Sequence, residues 1–315
     1  MRSRAFILAL VMLAGGASRL LAQTGAELPV ENLTVTGART RQAVKGFVQS
    51  LAQPTRATGK IARWQDPVCP TLVGLKREFA TFITQHIRDI AAQAGAPVSA
   101  NAACMPNIVI VFTTAPHALL DNVKTKQPAL LGYYDNSGQL DALAKMNRPI
   151  QAWYLTETRD MSGKVDVDGG KTKGSGLEIY LPCPEQPLGC LVHLPNAHAA
   201  AVTGSRLGDG PRSGLYNVVI VANPNRLAEY EMGTLSDYIA MLALTQVKDA
   251  SACLPLPTIL NLLVEGCDKS NGLTDNDRSF LAALYKMSPD RTAQVERDEM
   301  TFQMQKSLGL GDGGN

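Results

Sequence analysis

The side chains that do most protein chemistry are scarce in this sequence, with four His and six Cys among 315 residues. The closest histidine pair lies in His193-Leu-Pro-Asn-Ala-His198. Pro195 rules out a regular helix between them, so they do not form the helical pair that grips zinc. His86 falls on the polar edge of a long apolar-striped segment, and His117 follows Pro116 near a strand end. No His-Glu-x-x-His and no Gly-x-Ser-x-Gly elbow occurs. Ser, His and Asp are all present, but no local arrangement points to a triad. Gly163 to Thr172 holds Asp166, Asp168 and Gly170-Lys171-Thr172. A phosphate loop would need Gly where Val165 stands, and a calcium loop would need a third acid and a closing Glu. A solvated turn is the expectation there. The residues alone therefore predict no metal, no cofactor and no catalytic set.

The cysteines speak to compartment. Arg2 and Arg4 precede an apolar run from Ala5 to Gly16, and small residues lead to Ala22. A basic start, a short apolar core and a small-residue exit is the layout of a secretory signal peptide over residues 1–22. Ala22 is the better cut site and Ala17 the alternative. The run is shorter than the roughly 20 residues of a permanent span, so no transmembrane helix is expected after cleavage. Cleavage removes three arginines and no acid, leaving 27 basic against 28 acidic residues, a net charge of −1. An even number of Cys in an exported chain suggests disulfides. Local pairing is expected: Cys69 with Cys104, Cys183 with Cys190, and Cys253 with Cys267. With no CxxC pair and no Cys-His cluster, structural zinc is poorly supported. The expected location is periplasmic or secreted.

Composition narrows the class further. Hydrophobic residues make up 45% and charged residues 18%, with no basic stripe, which argues for a packed domain and against nucleic-acid binding. A flexible lead-in is expected over 23–36, then one domain over 37–309, then a disordered Gly-rich tail over 310–315. Val44, Phe47, Val48 and Leu51 mark an amphipathic helix ending before Pro54. Leu72 to Ala94 reads as a long helix stopped by Gly95. Asn107–Thr113, Ile150–Thr156 and Tyr216–Ala222 read as strands. The polar stretch 160–214 reads as a loop insertion with short strands at 177–181 and 191–194. Helices are expected at 234–246, 256–264 and 274–286, the last opened by a Thr274/Asp277 capping box, and again from Ser288-Pro289 onward. Helix, then strands, then helices is an α+β order, with a small mixed sheet between a long N-terminal helix and a C-terminal helical subdomain.

The last third resembles zincin-type metallopeptidases, especially the metzincin-like branch, in degenerate form. In that family a His-Glu-x-x-His-x-x-Gly-Leu helix is followed by a turn and then by Leu-Thr-x-x-Asp opening a helix that ends Leu-Tyr. Here Leu235-Ser-Asp-Tyr-Ile-Ala-Met-Leu-Ala-Leu244 occupies the helix slot, Leu256–Asn261 the turn, and Leu273-Thr-Asp-Asn-Asp277 with Leu284-Tyr285 the final helix. The resemblance puts Ser236 on the first His, Asp237 on the Glu, Ala240 on the second His and Ala243 on the Gly. Both metal ligands are thus replaced, as in some uncharacterised exported proteobacterial families with this look. It implies a zincin-like fold without zinc, with strand 216–222 bordering a cleft.

The function expected is a non-catalytic zincin-like domain with a binding or envelope-structural role. Its partner would be a peptide or an envelope protein, docked by strand addition along 216–222. Arg63 and Trp64 are one candidate contact pair, set against a core Trp with a flanking surface Arg. The alternative is an exported hydrolase using Asp237 with a loop histidine, His193 or His198.

Overall fold

The computed structural model describes residues 30–101, 103–168, 177–183, 186–194, 210–248 and 251–310, with side chains from residue 39 onward and none over 177–194. The expected signal peptide, residues 23–29 of the lead-in, residues 311–315 of the tail and His198 lie outside the described residues, whereas residues 30–36 of the expected flexible lead-in are the start of a helix. In order, the elements are α1 (Val30–Leu51), β1 (Pro70–Val73), α2 (Arg77–Ala94), β2 (Ile108–Phe112), α3 (Pro116–Lys126), α4 (Ser137–Leu143), β3 (Ile150–Arg159), β4 (Val165–Val167), β5 (Leu177–Cys183), β6 (Gln186–Leu194), β7 (Arg212–Ala222), α5 (Met232–Leu244), α6 (Asp275–Lys286) and α7 (Ala293–Ser307). No helix among the described residues is long and apolar enough to cross a membrane.

One mixed sheet runs β1-β2-β7-β3-β4, and β5 with β6 forms a separate hairpin. β1, β2 and β7 are parallel, and β3 runs antiparallel to β7 and β4. Strand side chains alternate between faces, so each face of the sheet can carry its own core. Ile108, Ile110, Val218 and Ile220 join α1, α2, α5, α6 and α7 on one side. Val109, Val111, Val219 and Val221 join α3 and the turn 128–131 on the other.

The structure revises several expected boundaries. Leu72 belongs to β1, and the long helix starts only at Arg77. Gly74 separates them at φ +90°, and a Cβ there would lie 1.9 Å from the Phe112 carbonyl oxygen. The helix expected at 256–264 is only the turn Ile259–Asn261. α7 begins at Ala293 instead of at Ser288-Pro289, because Met287 is extended and the Ser288 N–H donates to Glu299 Oε2 at 3.0 Å. The Thr274/Asp277 capping box is present. Val165–Val167 is a strand rather than a solvated turn, and buried Asp168 accepts from the Thr156 and Thr158 hydroxyls at 2.5 and 2.7 Å.

Two expected disulfides form, Cys69–Cys104 and Cys253–Cys267. The Cys183–Cys190 pairing lies outside the described side chains.

The centre of the molecule is α5, which buries Leu235, Ser236 and every residue from Tyr238 to Leu244. A helix ends with carbonyls that have no partner within it, and burial denies them water. Three side chains supply the donors. Tyr154 Oη donates to the Leu242 oxygen at 3.0 Å, Trp64 Nε1 to Ala243 at 2.8 Å, and Tyr285 Oη to Leu244 at 2.7 Å. Burial pushes both tyrosine hydroxyls well above their ordinary range, so they stay protonated as donors. Arg63 does the same for α6, donating from one nitrogen to the carbonyls of Leu284, Tyr285 and Met287. Arg63 and Trp64 are therefore internal fastenings. Trp64 is buried and Arg63 half-buried, both bonded to backbone carbonyls of this chain rather than set out as a contact pair.

Tyr285→Phe keeps the ring and removes the donor, leaving the Leu244 carbonyl buried and unpaired. We expect a loss of about 1–3 kcal/mol in urea unfolding, with the fold retained.

Glu296 is fully buried, with one carboxyl oxygen accepting from the Ile61 N–H at 2.8 Å and the other unpartnered. Burial raises its pKa from the ordinary 4.5 to about 7. The folded chain then holds a proton that the unfolded chain releases above pH 4.5. This group's contribution therefore makes stability fall as pH rises from about 4.5 to about 7, by up to about 3 kcal/mol. Glu296→Gln should flatten that slope in denaturation midpoints measured across the same window.

Candidate functional site

The residues singled out by the sequence separate into two groups. Ser236 and Ala240 are fully buried, and Ser236 Oγ donates to the Met232 carbonyl at 2.7 Å. Neither faces a cleft. Asp237 is the one residue from Leu235 to Leu244 that keeps partial exposure. It meets a histidine, but not one from the loop: His86 Nε2 lies 2.6 Å from Asp237 Oδ1. His193 sits on β6 with its side chain undescribed.

Three elements converge on this dyad. α2 packs on α5 through Ile83, Ile87 and Ile90, which puts the next ridge of α2, with Phe82 and His86, along the rim. The Phe82 ring stacks on His86 at 5.9 Å between centroids. The second Asp237 oxygen accepts from the Leu273 N–H at 2.9 Å. Gly272 permits that approach, since a Cβ there would lie 2.9 Å from the carboxylate. The His86 side chain is 32% exposed and that of Asp237 17%.

A carboxylate that fixes an imidazole is half of a general-base arrangement. The remaining half is a nucleophile or a held water. Ser236 is committed to Met232 and Ser270 Oγ donates to the Gly272 carbonyl at 2.5 Å, so neither points a free hydroxyl at His86. Among the described residues no group of three metal-ligating side chains exists.

The second location is a cavity of about 730 Å³ at the other end of α5. It opens beside β3, where β4 pairs only with Glu157–Arg159 and, among the described residues, no strand pairs with the outer side of Ile150–Thr156. Tyr154, Tyr238, Leu242 and Trp153 form much of its apolar wall. Arg56, Lys145, Arg148 and Lys248 also line it, and no acidic side chain does among the described residues. Burial pushes Tyr238 up to about 12, while Arg148, hydrogen-bonded to it, pulls the other way. The Lys248 ammonium is pushed down, first by burial and then by Arg56 and Arg297. Gln246 is also a lining residue, and its Oε1 is buried within the protein without a hydrogen-bond partner.

β7 does not border a cleft. It pairs with β2 on one side and β3 on the other, so the expected strand addition along 216–222 has no free edge to use. No sequence pattern marked the cavity residues as one site: they come from separated segments, and Arg56, the Lys145/Arg148 pair and Lys248 lie far apart in the chain.

No protein-family model, curated protein or solved structure matches the chain.

The His86–Asp237 contact joins α2 to α5 across 151 residues of sequence. A double-mutant cycle with His86→Ala and Asp237→Asn should return a coupling of about 1 kcal/mol in chemical denaturation. Additive single mutants would mean that the contact contributes nothing to stability.

Proposed function

We propose that this chain is an exported, non-catalytic binding protein whose ligand site is the cavity between β3 and the C-terminal end of α5. The observation that carries this reading is the cavity itself. A concave space of about 730 Å³ with apolar walls and a few convergent polar groups is of the size that holds a small molecule. Export is supported by the leader-like N-terminus and by two disulfides, which persist in oxidising compartments. The zincin resemblance is part of the proposal at the level of element order. A long helix precedes the sheet, and a buried helix follows the central strand and leads to a capped helix. Replacement of both ligand positions by Ser236 and Ala240 supports a scaffold without zinc. A peptide or envelope protein is a further partner for the same scaffold, with the outer flank of Ile150–Thr156 as its open edge.

A second reading rests on the 2.6 Å His86–Asp237 contact: hydrolysis with His86 as general base on a water. An esterase and peptidase panel separates the two. Turnover abolished by both His86→Ala and Asp237→Asn would favour the hydrolase.

Ala142 is an exposed residue of the cavity wall, so Ala142→Trp can fill the opening without disturbing the core. In a thermal-shift screen of small molecules, true ligands should raise the Tm of the wild type and leave Ala142→Trp unmoved. Saturation a hundredfold over Kd is worth about 2.7 kcal/mol. Shifts equal in both proteins would overturn the site.

A further inference from the structure

We infer that the cavity selects an organic anion: a compact apolar body bearing one anionic group. This rests on the reading of the cavity as the ligand site and adds the chemistry of the occupant.

The first observation is charge. Four basic side chains line the cavity, and none of its described lining residues is acidic. Arg56 is held by Asp135 at 2.7 Å, a pair more than half exposed on both sides. Lys248 Nζ donates to the Pro54 carbonyl at 2.5 Å, which fixes its position but does not neutralise it. Arg148 hydrogen-bonds the Tyr238 hydroxyl. Lys145 is exposed and has no carboxylate partner among the described residues. The cavity thus gathers positive charge at its rim, beside apolar walls. An anion entering it relieves repulsion that the apo protein carries.

The second observation is independent of charge. Leu131, Ile150, Trp153 and Leu242 form the apolar part of the wall and call for a hydrophobic body beside the anionic group.

A matched pair of fluorescent probes tests this on the full mature chain. 8-Anilinonaphthalene-1-sulfonate carries an aromatic body, an N–H and a sulfonate, and N-phenyl-1-naphthylamine is the same molecule without the sulfonate. We expect one saturable site for the sulfonate, at least tenfold tighter than for the neutral amine at low ionic strength. The ratio should shrink as salt rises. Lys145→Glu, at an exposed position, should weaken the sulfonate about tenfold and leave the neutral probe unchanged. Ala142→Trp should abolish both signals.

Equal affinity for the two probes, both lost in Ala142→Trp, would overturn the anion inference while the cavity reading survives. Binding of neither probe, or binding indifferent to Ala142→Trp, would overturn both. A pelleting arm with phosphatidylglycerol vesicles distinguishes the source of the anion. Co-sedimentation that Lys145→Glu removes would make the occupant a membrane lipid and overturn a freely dissolved one.

Discussion

A helix buried along most of its length poses one constraint that shapes this molecule: its last carbonyls need donors within the core. The protein meets it with Tyr154 from β3, Trp64 from the segment before β1 and Tyr285 from α6. Each donor arrives from a different element, so the sheet, the N-terminal segment and the C-terminal helices are all referenced to the same end of α5. The Arg63 fork on α6 continues the scheme one residue away from Trp64. Hydrophobic burial drives these elements together, and the carbonyl pairing fixes their mutual orientation.

The same helix then serves both candidate sites. Asp237 leaves the core near its N-terminal half and meets His86, while Tyr238 and Leu242 face the cavity toward its C-terminal end. Consecutive residues thus divide between two locations, as the helical period requires. Polar groups held at the rim of a rigid rod keep their geometry, because the rod has no freedom to shift without breaking its capped end.

What could be read from the residues was what repeats locally. Continuous β-branched runs gave β2 and β7, the 3.6 period gave α2 and α6, and the Thr274/Asp277 spacing gave a cap. Boundaries failed where a tertiary contact decided them. Leu72 fits the apolar stripe of α2, yet the need of Gly74 to clear the Phe112 carbonyl makes it a strand residue. α3 and α4 carry weak apolar periodicity and went unseen. Asp237 was singled out, but its partner was sought among the loop histidines, since nothing in sequence links residues 86 and 237. The cavity was illegible for a related reason. Its basic residues are scattered through the chain and only the fold collects them.

The position of β7 has a consequence for how the chain must mature. It lies between β2, which starts at Ile108, and β3, which starts at Ile150, yet it begins only at Arg212. Until Ala222 has emerged from the ribosome, the earlier strands have nothing to dock against on their inner flanks. A nascent chain with its keystone strand this late stays open throughout most of its synthesis. The sheet therefore closes as a late, cooperative event, with its two flanks already made and waiting for the strand between them.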